Sequence, residues 1–177
     1  MKPEDINLQN ILKYHNKRIQ NLILNLEDKH GYIRENARET LVAIGKPAIE
    51  YLAELLCSSK KILRWEAVKA LTEIPDPESA PLYLRAIKDD YPDIRWLAAE
   101  GLISLGKTGI IAITESLISD SESVHLQKGA HHVIKEYLET HNNEELKELL
   151  KSLNKFDAEL KILVTAMKAL KSLREDE

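Results

Sequence analysis

The sequence predicts an all-α chain in which short helical hairpins stack into a solenoid. Three observations carry that expectation. Four segments of one pattern recur at near-constant spacing, their apolar residues fall at helical intervals, and the residues between them are those that end and start helices. Composition agrees, because only 5% of the 177 residues are aromatic while 44% are hydrophobic. Leu, Ile and Ala carry the apolar load, which suits helices better than a β-sandwich.

The repeat is read as YIRENARETLVAIG from Tyr32, ILRWEAVKALTEIP from Ile62, DIRWLAAEGLISLG from Asp93 and HLQKGAHHVIKEYL from His125. An aliphatic residue precedes Arg in Ile33-Arg34, Leu63-Arg64 and Ile94-Arg95, and precedes Gln in Leu126-Gln127. Three residues after each polar residue stands Ala37, Ala67, Ala98 or Ala130, and four further on Leu41, Leu71, Leu102 or Ile134. The Ala-to-Ala intervals are 30, 31 and 32 residues, a slowly drifting period with a fixed internal pattern. An alanine at the centre of each such helix marks a close approach, where a larger side chain would push neighbours apart.

Each unit then reads as a first helix followed by this second one. Ile33, Ala37, Leu41 and Ile44 share a face, as do Leu63, Ala67, Leu71 and Ile74. First helices are expected over Ile19–Leu26, Ala48–Leu56, Ala80–Ile87 and Gly109–Ile118. Gly45-Lys46-Pro47, Pro75-Asp76-Pro77 and Gly106-Lys107-Thr108-Gly109 supply the turns between units. An amphipathic helix from Pro3 to His15 (Ile6, Leu8, Ile11, Leu12) would cap the first unit. Two more helices, Glu144–Leu153 and Asp157–Leu173, would close the other end, with Ala166 and Leu170 at the repeat's spacing. The division expected is a single domain, 1–177. It comprises a capping helix at 3–18, repeats at 19–45, 46–75, 76–106 and 107–139, and a degenerate fifth repeat or cap at 142–177.

Over Ile19 to Leu138 the pattern resembles the HEAT-like repeats of the phycobilisome (PBS) lyase family, whose motif runs Asp, a short turn often containing Pro, aliphatic-Arg, Ala and Leu. Asp28 and Asp89 stand six residues before Arg34 and Arg95, and Pro92 occupies the turn of the third unit. Ser58, Ser121 and Gln127 depart from it, so a ladder of Asp–Arg contacts is expected to be incomplete at the second and fourth levels. The resemblance implies a right-handed α-solenoid, or superhelix, of about four to five repeats, with second helices lining its concave face.

Chemistry-bearing motifs are scarce. The sequence has no GxSxG elbow, no Gly-rich phosphate loop, no HExxH and no His-Glu pair like those of HEAT-like diiron enzymes. No cofactor or metal site and no catalytic group are expected. Cys57 sits in an apolar run and reads as a buried, inert thiol. The net charge of −4 argues against nucleic acid, and no signal peptide or membrane span is evident, so a cytoplasmic protein is expected. Arg34, Arg64 and Arg95 read as bonding carbonyls and aspartates rather than lining an anion groove.

Trp65 and Trp96 fill one slot of the repeat, where the flanking units carry Glu35 and Lys128. With Val68, Lys69, Ala99, Glu100 and Ile103 they would form an apolar patch with a charged rim, either a partner surface or packing between repeats. The function expected is a non-enzymatic scaffold, a monomer or weak oligomer, that binds another protein or peptide. A bilin-lyase-like accessory subunit and a HEAT-like DNA-repair module are the alternatives. The latter is weakened by the mixed charge of Glu35, Glu39, Glu100, Lys69, Lys128 and Lys135.

Overall fold

The computed structural model describes residues 8–154 and 159–175, with side chains from Lys17 onward. All regular structure among them is helical, and none of these helices is long and apolar enough to cross a membrane. The chain falls into two compact units, Met1–Ala70 and Leu71–Glu177.

The first unit holds α1 (Leu8–Asn25), α2 (Gly31–Ile44), α3 (Lys46–Leu55) and α4 (Lys61–Thr72) as far as Ala70. The break expected between a capping helix at 3–18 and the first repeat at Ile19 does not occur. Leu8 to Asn25 is one helix, because neither Gly nor Pro interrupts the chain between Leu8 and His30. The segment Pro3–Asn7 lies outside the described residues. Helix α1 packs on both α2 and α3, and Ile19, Leu26, Ala37, Leu41, Ala48 and Leu52 are buried. Gly45, at φ 75°, makes the α2–α3 turn, and Pro47 sits in the first turn of α3, where its missing N–H costs nothing.

The second unit continues with a 3₁₀ turn at Pro77–Ser79, then α5 (Ala80–Ala86), α6 (Pro92–Ser104), α7 (Lys107–Ser119), α8 (Val124–Leu138), α9 (Glu144–Asn154) and α10 (Glu159–Glu175). Helices α5 to α8 stack in chain order: α5 meets α6 and α7, α6 meets α7 and α8, and α7 meets α8. Small side chains fill the core positions of the repeat, since Ala37, Ala67, Ala98 and Ala130 are at most 1% exposed. Glycines do the same work inside helices. A Cβ on Gly101 would lie 2.5 Å from the Tyr83 ring, and one on Gly109 would overlap the Leu102 carbonyl.

The last helix pair departs from the repeat. In-register stacking would set α9 on α7 and α10 on α8. Instead α9 packs on α8, and α10 returns to α7, so helices α7 to α10 close a ring of four. Asn143 caps α9 through Leu146 N at 2.8 Å and donates to Ser172 Oγ at 2.9 Å. Ser152 and Thr165 hydroxyls meet at 2.9 Å between α9 and α10. The expected start of α10 at Asp157 lies outside the described residues.

Candidate partner-binding surface

Each repeat arginine donates to a main-chain carbonyl six residues before it. Arg34 donates to the Asp28 carbonyl at 2.8 Å, Arg64 to that of Ser58 at 2.8 Å and Arg95 to that of Asp89 at 2.7 Å. Gln127 donates to the Ser121 carbonyl at 2.6 Å. Asp–Arg pairs are thus missing at the second and fourth levels, as expected, but the bond to the main-chain carbonyl recurs at all four, because that oxygen is present whatever the side chain. The Asp and Ser side chains serve a different bond. Asp28, Ser58 and Asp89 each accept from the main-chain N–H two residues on, at 2.8, 3.1 and 2.9 Å. Either residue type makes such a turn, which explains their exchange. The His30 amide also holds the Asp28 carboxyl below its ordinary value of 3.8.

The two tryptophans have different surroundings. In the first unit Trp65 is half-buried, with the Arg38 guanidinium 5.8 Å from its ring centroid. Arg38 donates to Glu66 at 2.6 Å and Arg34 to the same carboxylate at 3.1 Å. Glu66 is 2% exposed, so Trp65 flanks a desolvated Arg–Glu–Arg cluster joining α2 to α4. Val68, expected beside it on the surface, is completely buried, and Lys69 is half-buried. Glu66 was not singled out from sequence. Its signal was there, since the equivalent positions hold Asn36, Leu97 and Gly129 and only this one is charged.

In the second unit Trp96 is 57% exposed. Its ring stacks on His132 with centroids 4.5 Å apart and planes 25° apart. His132 Nε2 lies 2.9 Å from Glu100, and its Nδ1 lies 3.9 Å from Glu136. Glu100 and Ile103 are half-buried and Lys128 is exposed, as the stripe from Trp96 requires. Ala99 is only 3% exposed and leaves the expected patch, because α6 packs against α5, α7 and α8 and little of its circumference remains open. The exposed site is thus one indole held by imidazole and carboxylate across α6 and α8. The histidine is its support.

Cys57 is exposed, not buried. Ala48, Leu52 and Leu56 run down the buried stripe at four-residue spacing, and Cys57 follows one residue past it, off that face. His131 reaches Asn154 at 2.6 Å, and His141 stacks on Tyr137. Among the described residues no three His, Cys, Asp or Glu side chains are grouped to hold a metal.

No curated protein matches this sequence. The family described as HEAT repeats matches residues 19–103 and, overlapping, 55–131. Together these spans run from residue 19 to residue 131, most of the chain, taking in the first three units found by periodicity and the fourth as far as 131. The protein is a member of the HEAT-repeat family, an all-α solenoid class built from helical hairpins.

Proposed function

We propose that this chain is a non-enzymatic, cytoplasmic interaction scaffold that holds a partner protein or peptide on the α6–α8 face at Trp96. The supporting observation is the indole itself. Trp96 is 57% exposed yet oriented by its stack on His132, which is in turn bonded to Glu100. An exposed aromatic held in one orientation loses little entropy on docking and is a common anchor at protein interfaces. Glu100, Glu136 and Lys128 give the anchor a polar rim of both signs.

Affinity capture from extract of the native cell, followed by binding measurements on the captured partner, tests this. Trp96→Ala should fold normally and weaken binding by about 30-fold or more, the effect of losing roughly 2 kcal/mol at a central anchor. Trp65→Ala, which alters the Arg38–Glu66 cluster, should keep the partner wherever it stays folded. Retention of full affinity by Trp96→Ala would remove the proposal. The bilin-handling alternative draws on the PBS-lyase-like motif alone, and an unchanged tetrapyrrole spectrum on mixing would dismiss it.

A further inference from the structure

Within each unit, side chains join one second helix to the next, at a different slot of the repeat in each case. Within the first unit, Glu66 of α4 reaches back to Arg34 and Arg38 of α2. Within the second, His132 of α8 reaches back to Glu100 of α6. Counting back by the repeat period, the residue equivalent to Glu66 on α2 is Asn36, and that equivalent to His132 is Glu39. Neither has a described helix in front of it. Tyr32, Glu35, Asn36 and Glu39 recur at helical spacing, opposite the buried Ala37 and Leu41, and line an open cleft of about 510 Å³. Tyr32 is 70% exposed, and the cleft's charge is acidic. Among the described residues, no helix is seated in this seam.

Helix α10 carries a face of complementary character. Leu160, Val164 and Met167 are 70%, 43% and 56% exposed and recur at four- and three-residue spacing. They lie opposite Ile162, Ala169 and Leu173, which are buried. Exposed lysines, Lys161 and Lys168, border this stripe, and Lys171 continues it. The lysines disfavour pairing two α10 stripes with each other, since that would gather like charge around an apolar seam. Against Glu35 and Glu39 the same lysines are matched in sign.

We infer that α10 of one molecule occupies the open seam on α2 of a second copy, giving a head-to-tail contact between identical chains. Such a contact is heterologous, so every pair keeps one cleft and one α10 unfilled and adds further copies as concentration rises. One helix seated in one cleft buries a small interface, which places the contact in the low-affinity, salt-sensitive range. Neither the cleft lining nor the α10 stripe includes Trp96, so each proposal can fail without the other.

Sedimentation of the whole chain at low salt, from micromolar to millimolar protein, is the first measurement, and a mass that climbs with concentration is expected. Two charge-reversed variants then test the pairing. Glu35→Lys with Glu39→Lys blocks the cleft, and Lys168→Glu with Lys171→Glu blocks the helix. All four positions are on the surface, and circular dichroism checks that each variant folds. Each alone should stay monomeric, because its cleft and its α10 then carry the same sign, whereas an equal mixture should associate again with concentration, since each variant's α10 is matched in sign to the other's cleft. A wild-type chain that stays monomeric throughout overturns the inference. So does a cleft-blocked variant that still self-associates, which would mean paired α10 stripes instead.

Discussion

The hydroxyl of Tyr83 donates to the Leu71 carbonyl at 2.7 Å from a side chain only 1% exposed. Its ring comes so near α6 that a Cβ on Gly101 would lie 2.5 Å from it. Burial, with a further push from Asp76, raises the phenol from 10.0 to about 12. A group whose folded pKa lies above its unfolded value stabilises the fold fully below the unfolded value and loses that contribution on the way up. The window is therefore pH 10.0 to about 12, and the stability involved is roughly 2–3 kcal/mol. Urea midpoints measured across that window should fall steeply for the wild type. For Tyr83→Phe the fall should be shallower, from a neutral-pH value lower by about 1 kcal/mol because the Leu71 carbonyl loses its donor. Equal alkaline slopes for the two proteins would mean that this phenol ionises without cost.

At the scale of elements, helices were legible because their signals are local. Gly45 and Gly106 have φ of 75° and 55° and no atom within reach of a Cβ, so their role is the turn alone. Gly109 is different. It is the third residue of α7, and a Cβ there would overlap the Leu102 carbonyl of α6. Periodicity marks which face of a helix is apolar, but not how near the neighbouring backbone comes, so Gly109 read as one more turn glycine. Gly109→Ala should raise helix propensity yet destabilise the protein, by roughly 3 kcal/mol, at the upper end of overpacking costs. Thermal melts alongside Gly31→Ala, where a Cβ would meet only the Arg34 side chain at 3.7 Å, give the comparison. If both variants melt alike, the close approach of α6 and α7 is not as tight as the geometry requires.

For the molecule as a whole, a repeated alanine and a repeated arginine were enough to find the units, since stacking repeats one contact at a fixed interval. The candidate site was legible only in part. The slot of Trp65 and Trp96 was visible, but the two environments were not, because they depend on Arg38, Glu66, His132 and Glu100 in neighbouring helices. The order of the last two helices was hidden for a related reason. Ala166 and Leu170 have the repeat's spacing on a second helix, and that spacing says a face is buried without saying against what. In the structure Ala166 is buried on a helix that packs on α7, with Arg174 bonded to Glu115 at 2.6 Å. A cross-link separates the two arrangements. With Cys57→Ser as background, Glu115→Cys paired with Arg174→Cys should be bridged by a short bis-maleimide, closing a loop that migrates faster on a denaturing gel. The pairing Lys135→Cys with Arg174→Cys, which joins α8 to α10, should not be bridged. Bridging of the second pair and not the first would restore in-register stacking of a fifth repeat, and the closed ring of α7 to α10 would have to be abandoned.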